Sequence, residues 1–190
     1  MKYFKQLKNL PTYNLAQPLD AMLANKTLFW DSNNQISLTS TPNAVDDFHT
    51  ACGSLTHDWA NKEWVFDDQG NKTEVVHRFE IPRKETDFTD LCTVFVGTEF
   101  ENLYNTVKDA YFRIGRMRLM KSKIKTCLSW HNDSSPRIHY PIKTQDGCLM
   151  VIGDEVKHLE QDKWWWTDTT ITHTALNGSR EERIHLVITL

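Results

Sequence analysis

The sequence has 190 residues, of which 39% are hydrophobic and 25% are charged, and this composition excludes fibrous, disordered and collagen-like proteins. Its 22 basic and 25 acidic side chains give a formal net charge of −3, so no overall positive field favours nucleic acid or an anionic membrane. No apolar run reaches the roughly 18 residues of a membrane span, and the first residues contain no signal-peptide core. We therefore expect a cytoplasmic protein that binds neither nucleic acid nor membranes.

The chain contains neither an internal repeat nor a stretch of Pro, Gly or Ser long enough to act as a linker. This predicts one domain over residues 1–190, with a helix-rich supporting part at 1–111 and a β core at 112–190. The four cysteines lie far apart and form no CxxC pair, so we expect free thiols rather than disulfides. They are Cys52, Cys92, Cys127 and Cys148.

Two short helices are predicted in the first part of the chain. One covers residues 19–26 and follows Pro18. The other covers residues 44–52, where Asn43 is a plausible N-cap and Gly53 a stop.

A third helix is predicted to begin at Thr98, because Thr98 and Glu101 have the spacing of a capping box. Apolar side chains then recur at helical spacing, which predicts that one face of this helix packs on a sheet. These side chains are Phe100, Leu103, Tyr104, Val107, Ala110 and Tyr111.

After residue 111 the pattern changes to short β-type runs separated by turn residues. Many short strands preceded by helices indicate a sandwich or barrel-like β core with helices on one outer face. A Rossmann sheet is disfavoured, because helices do not alternate with the strands and a GxGxxG motif is absent. The predicted strands are 112–120, 123–130, 137–142, 148–152, 155–159, 163–166, 169–173 and 182–190.

The strongest chemical signal is the HxD motif formed by His131 and Asp133. Residues two apart in an extended strand point to the same face, so these two side chains can present a nitrogen and an oxygen to one metal ion. His173 is the candidate for a third ligand, since two His and one carboxylate suit non-haem Fe(II). Arg183 lies in the last predicted strand, where its guanidinium can hold a carboxylate inside the barrel.

Further residues follow the HxD motif in a definite order. Arg137-Ile-His139-Tyr-Pro-Ile comes first, then Gly153-Asp-Glu, then Asp168 before His173, Asn177 after it, and Arg183. With these features, residues 130–190 resemble the aspartyl/asparaginyl β-hydroxylase family of Fe(II)- and 2-oxoglutarate-dependent oxygenases.

The resemblance implies a mainly β fold, a double-stranded β-helix of the jelly-roll, cupin-like kind with N-terminal helices packed on one sheet. It implies that His131, Asp133 and His173 are iron ligands and that Arg183 pairs with the distal carboxylate of 2-oxoglutarate. It places Arg137 and His139 against the cosubstrate near the metal. Some members have Gly at the position of Asp133, whereas this chain keeps the carboxylate.

The implied activity is hydroxylation of a C–H bond with Fe(II), 2-oxoglutarate and O₂. The substrate would be a peptidyl Asp, Asn or Pro residue or a small amino-acid-like molecule. Two alternatives remain open: a non-catalytic metal- or sugar-binding β-barrel module, and a zinc hydrolase with an activated water at the open positions.

Two further groups of residues have open roles. A cationic run could attract an acidic substrate or guard a solvated strand edge. Arg116 and Arg118 in this run share one strand face, so we expect one of them to point into the barrel mouth. The consecutive tryptophans alternate faces, so at least one is expected in the core. These groups are Arg113, Arg116, Arg118, Lys121, Lys123 and Lys125, and Trp164, Trp165 and Trp166.

Overall fold

The computed structural model describes residues 1–53, 55, 61–77, 83–111 and 114–190, with the backbone alone at 61–66 and 72–77. No helix within these ranges is long and apolar enough to cross a membrane. The helices are α1 (Ala16–Ala24) and α2 (Glu99–Ala110). The strands are β1 (Phe4–Leu7), β2 (Gln35–Ser37), β3 (Thr39–Ser40), β4 (Asn61–Phe66), β5 (Lys72–His77), β6 (Asp90–Leu91), β7 (Met117–Ser122), β8 (Thr126–Cys127), β9 (Arg137–Lys143), β10 (Cys148–Ile152), β11 (Glu155–Lys157), β12 (Trp164–Thr167), β13 (His173–Asn177) and β14 (Arg183–Thr189).

The consecutive strands β7 to β14 divide between two antiparallel sheets. One sheet has six strands in the order β1-β12-β9-β14-β7-β2, and the other has four in the order β11-β10-β13-β8. The chain thus passes repeatedly from one sheet to the other, as in a double-sheet jelly roll. The fold is a mainly β double-stranded β-helix, which confirms the predicted fold class.

The six-stranded sheet has an apolar outer face and a polar inner face, because side chains alternate along each strand. On β9, Ile138 and Tyr140 belong to the outer hydrophobic core, whereas Arg137 and His139 lie on the opposite face. On β14 the outer core takes the even-numbered residues from Ile184 onward. The odd-numbered residues of β14 therefore point towards the second sheet.

Both helices pack on the outer face of the six-stranded sheet, as predicted. In α2 the Thr98 hydroxyl accepts the Phe100 N–H at 3.2 Å, so Thr98 is the N-cap. The Glu101 carboxylate accepts the Gly97 N–H at 2.7 Å rather than that of Thr98. In α1, Pro18 lies in the first turn, where its missing N–H leaves no hydrogen bond unmade.

The helix predicted at 44–52 is wrong, because this segment forms successive turns. A helix would pair the Val45 carbonyl with the His49 N–H. Instead the Val45 carbonyl accepts from Thr93 N at 2.9 Å, and the Asp47 carboxylate accepts the His49 N–H at 2.8 Å. The Phe48 carbonyl accepts from Ser37 N at 2.7 Å. Distant residues thus take two of the carbonyls that a helix would use, and the nearby Asp47 side chain takes the His49 N–H.

The strand predicted at 169–173 is also wrong, since β13 begins at His173. Residues 169–172 form a turn in which the Thr170 hydroxyl donates to Asp168 Oδ1 at 2.5 Å. The run predicted at 123–130 forms regular strand only at β8, and in the run predicted from 112 the strand begins at Met117, while 112 and 113 lie outside the described residues. Strands β1 to β6 were not predicted.

Candidate active site

The structure brings His131, Asp133 and His173 together beside the four-stranded sheet. The backbones of His131 and His173 exchange two hydrogen bonds, at 3.1 and 2.9 Å. Asp133 N donates to the Thr169 carbonyl at 2.8 Å. One potential ligand atom from each of the three side chains lies within 4.8 Å of the other two. Backbone pairing between the two segments thus brings the HxD pair and the distant His173 into one cluster of potential metal ligands.

The two imidazoles are oriented by backbone carbonyls. Nδ1 of His131 lies 2.7 Å from the Ser129 carbonyl, and Nδ1 of His173 lies 3.0 Å from the Ile171 carbonyl. A carbonyl only accepts hydrogen bonds, so each Nδ1 carries a proton, and Nε2 is the nitrogen of each ring that can ligate a metal. Burial and the neighbouring His131 lower the pKa of His173 against the opposing effects of the Ile171 carbonyl and Asp133. This favours the neutral, ligand form of His173.

Arg137 holds the carboxylate of the cluster. Its Nη2 lies 3.4 Å from Asp133 Oδ1, while Asp133 Oδ2 lies 3.7 Å from His173 Nε2. Nη1 of Arg137 donates to the carbonyl and hydroxyl of Ser135 at 2.8 and 2.6 Å. Arg137 therefore lies beside the three potential metal ligands, and Asp133 is its carboxylate partner.

Three buried side chains on the inner faces of β9 and β14 have polar atoms that no other described residue satisfies. These atoms are Nε of Arg183 and both ring nitrogens of His139 and His185. The two rings lie edge to face with centroids 5.7 Å apart. Burial, reinforced by Arg183, lowers the pKa of His139 to about 3 and that of His185 well below its usual value. Both imidazoles are therefore neutral.

Arg183 is a buried cation without a carboxylate partner in the described part of the chain. It is 7% exposed, and burial lowers its pKa while, among the described residues, Cys148 has a small opposing effect. A buried charge is costly unless it is paired. The buried guanidinium of Arg183 therefore has an N–H donor that no described residue uses.

Arg116 is one of the two arginines expected at the barrel mouth, and it forms an ion pair within the fold. Nε and Nη2 of Arg116 each lie 2.8 Å from a Glu85 carboxylate oxygen. Burial raises the pKa of Glu85, but the hydrogen bonds and charge of Arg116 outweigh it, so the pKa is lowered. Arg116 is thus held within the fold. Glu85 was missed because no local pattern in the sequence indicates this pairing.

Arg118 lies on the same strand face and is less completely satisfied. Its Nη1 donates to Gln35 Oε1 at 3.1 Å and to the Gly53 carbonyl at 3.0 Å, but its Nε has no partner among the described residues. Burial lowers the pKa of Arg118 to about 10. Elsewhere in the cationic run, Lys121 pairs with Glu182, and Arg113 lies outside the described residues.

The three tryptophans alternate faces, as predicted. Trp164 lies in the outer core and donates Nε1–H to the Pro11 carbonyl at 2.8 Å, and Trp166 packs against that core. Trp165 lies between the sheets, directly beside His139 in the strand register. At least one tryptophan is therefore core, as expected.

Asp168 and Asn177 stabilise the turns at the two ends of β13. Asp168 accepts from Thr170, as described above. Asn177 Oδ1 accepts from the backbone and hydroxyl of Ser179, at 3.0 and 2.7 Å, and its Nδ2 donates to the Glu181 carbonyl at 2.8 Å. These contacts position His173 through the backbone.

A sequence model of the aspartyl/asparaginyl β-hydroxylase family matches residues 56–190. The chain belongs to this family. No curated protein matches the sequence significantly.

Two solved structures show weaker likenesses. An oxidoreductase of the 2OG-Fe(II) oxygenase family from Burkholderia pseudomallei has 14% identity, with 92% of this chain and 89% of that chain covered, at a TM-score of 0.41. A cupin domain from Bordetella pertussis has 17% identity, with 39% of this chain and 78% of that chain covered, at a TM-score of 0.34. The strand orders of the two sheets are by themselves those of a double-stranded β-helix.

Proposed function

We propose that the protein is an Fe(II)- and 2-oxoglutarate-dependent hydroxylase whose iron is held by His131, Asp133 and His173. The observation that carries the proposal is the convergence of these donors within 4.8 Å of one another. Two imidazoles and one carboxylate match the ligand set of non-haem Fe(II) oxygenases and leave coordination positions open. The hydrogen bonds from each Nδ1 to a carbonyl fix the ring orientation that such a site needs.

The cosubstrate site would be formed by the polar inner face of the six-stranded sheet. Arg183 would hold the distal carboxylate of 2-oxoglutarate, since its buried guanidinium has an unpartnered N–H. Arg137 and His139 would lie at the other end, near the metal. When bound, iron, 2-oxoglutarate and O₂ supply the oxidising chemistry that converts a C–H bond into C–OH.

The chain's own side chains orient these groups and exclude water. Arg137 and the backbone of Thr169 hold Asp133 in place. An apolar cluster between the sheets, which includes Met150, Ile152 and Trp165, lines the barrel interior. Chemistry of this kind needs no side-chain general base among the metal ligands, so the protein contributes binding, orientation and a dry environment.

The proposed substrate is a peptidyl Asp, Asn or Pro residue or a small amino-acid-like molecule. Arg118 supports a substrate that bears a carboxylate, because it is buried at 8% exposure and its Nε is unpartnered among the described residues. A guanidinium in such a position is suited to a planar anion.

An anaerobic titration tests the cofactors directly. Adding 2-oxoglutarate to the Fe(II)-loaded protein should produce a visible charge-transfer band, because the keto acid chelates the iron. A zinc hydrolase or a non-catalytic binding module would produce no such band.

Replacing His131, Asp133 or His173 individually with Ala should greatly reduce bound metal without unfolding the protein, because each change removes one donor. Metal analysis after dialysis, with circular dichroism for the fold, measures both. His49→Ala is the matched control, since His49 packs against Phe29 and Phe48 away from the site. Unchanged iron binding in His173→Ala, with loss in His139→Ala or His185→Ala, would show that the ligand set is wrong.

A further inference from the structure

The proposed function leaves His185 without a role, although it is among the least accessible polar side chains of the barrel. It is 3% exposed, and neither ring nitrogen has a hydrogen-bond partner among the described residues. A neutral imidazole has one N–H donor and one acceptor. Burying both without partners is unfavourable, and native proteins rarely do so.

The strand register explains why the protein itself does not satisfy this ring. His185 lies beside Met120 on β7 and beside Pro141 on β9. Neither side chain offers a nitrogen or oxygen atom. His139 lies within ring contact, but its own nitrogens are also unpartnered. The hydrogen-bonding capacity of His185 is thus directed towards the barrel interior.

His185 lies at the Arg183 end of the inner face. The two residues are two positions apart on β14, so their side chains project from the same face. On β9, Arg137 and His139 lie opposite Thr189 and Val187, whereas His185 pairs with Pro141 towards the other end of the strand. His139 therefore lies nearer the potential metal ligands, and His185 lies nearer Arg183.

We propose that His185 binds the distal carboxylate of 2-oxoglutarate together with Arg183, by donating its ring N–H to a carboxylate oxygen. This proposal rests on the proposed function. A carboxylate has more acceptor sites than one guanidinium fork occupies. A neutral imidazole adds a donor without adding a second positive charge, so the dicarboxylate's distal charge is balanced by Arg183 alone.

The test compares two keto acids in the Mn(II)-loaded protein by calorimetric titration. 2-Oxoglutarate has the distal carboxylate, and 2-oxobutyrate lacks it. His185→Leu should weaken 2-oxoglutarate binding by about tenfold or more, the effect expected for losing one hydrogen bond to a charged group. It should leave 2-oxobutyrate binding and metal content unchanged, and His185→Gln should recover part of the loss.

Met120→Leu is the matched control, because it alters packing beside His185 and removes no hydrogen-bond donor. It should weaken neither keto acid selectively. Equal weakening of both keto acids in His185→Leu would overturn the proposal by showing a role in packing or at the metal end. Unchanged 2-oxoglutarate affinity would also overturn it while leaving the proposed function intact. If the parent did not prefer 2-oxoglutarate over 2-oxobutyrate, the proposed role of Arg183 in binding the distal carboxylate would be wrong. The proposal for His185 would then be wrong as well.

If His185→Leu does not fold, the same affinity ratio is measured in His185→Gln and His185→Asn. These variants keep a polar side chain in the buried position but place the N–H at different distances from the strand. A selective change in 2-oxoglutarate affinity in either one supports the proposal. An unchanged ratio in both overturns it.

Discussion

Two buried arginines on the inner face of the six-stranded sheet differ in what satisfies them. Arg116 and Arg183 are 4% and 7% exposed. Arg116 makes a two-pronged pair with Glu85, whereas Arg183 has an Nε without any described partner. Since burial is nearly equal, the partner decides the role: Arg116 ties two segments of the fold together, and Arg183 is available for a bound anion.

Arg183→Ala should raise the dissociation constant of 2-oxoglutarate by about two to three decades. Removing the cation would leave a buried anion unpaired, at a cost on the order of 3 to 5 kcal/mol, and about 1.4 kcal/mol corresponds to a factor of ten. Metal affinity should be nearly unchanged, because the guanidinium is not a ligand. Arg183→Lys should recover only part of the loss, since an ammonium lacks the planar fork.

Calorimetric titration of the Mn(II)-loaded variants measures this effect. Arg180→Ala, a change at an exposed arginine three residues earlier, is the control for loss of charge. Near-parental affinity in Arg183→Ala would mean that the distal carboxylate is held elsewhere, with Arg137, Arg116 and Arg118 the next candidates.

Among the helices and strands, the alternation of apolar and polar side chains sets which face of each strand is buried. The Thr98 N-cap sets where α2 begins. The outer face of β9 and β14 buries aliphatic and aromatic side chains against α2. The same strands carry arginine and histidine on the inner face. One helix docked on one side of a sheet thus leaves the other side free for a polar site.

Thr98→Ala should lower the free energy of unfolding by about 1 kcal/mol, because the Phe100 N–H loses its acceptor. Urea denaturation at neutral pH measures the change. Thr98→Asp should retain most of the stability, since a carboxylate also caps this position. Asn105→Ala, at an exposed site within α2, should cause no loss; a loss as large as that of Thr98→Ala would contradict the capping explanation.

At the scale of the whole molecule, the barrel separates an apolar outer core from an interior with neutral histidines and excess cations. The buried His139 and His185 both have a lowered pKa. The unfolded chain therefore binds protons more readily than the folded one as the pH falls below about 6.5. Acid should therefore lower the free energy of unfolding through these two histidines. Above about pH 6.5 this destabilisation should vanish, because the histidines are neutral in both states.

His185→Gln should consequently flatten the dependence of stability on pH. The difference in slope between parent and variant should approach about 1.4 kcal/mol per pH unit below about pH 5.5, since one titrating group has been removed. Denaturation series from pH 7.5 to 4.5, in the presence of a chelator, measure it. Parallel curves for parent and variant would show that His185 becomes protonated in the folded protein.

Features that depend on neighbouring residues can be predicted from the sequence alone. The alternation in β9, β10 and β14 and the N-cap of α2 are local, and each predicted its structure correctly. The HxD spacing is also local, and its two side chains lie close together in the structure. The wide spacing of the cysteines likewise predicted free thiols, and all four are free. The family's ordered motifs predicted the fold class and indicated which histidine would join the HxD pair.

Features that depend on distant partners cannot be predicted from local patterns, because folding brings those partners together. Residues 44–52 have a helical pattern, but Ser37 and Thr93 take the carbonyls that a helix would use. Glu85 pairs with Arg116 across a separation that no sequence pattern spans. His185 stands out because Met120 and Pro141 flank it, and that neighbourhood arises only when β7, β9 and β14 align. Local chemistry defines which groups each residue offers, and packing decides which of them remain unpaired.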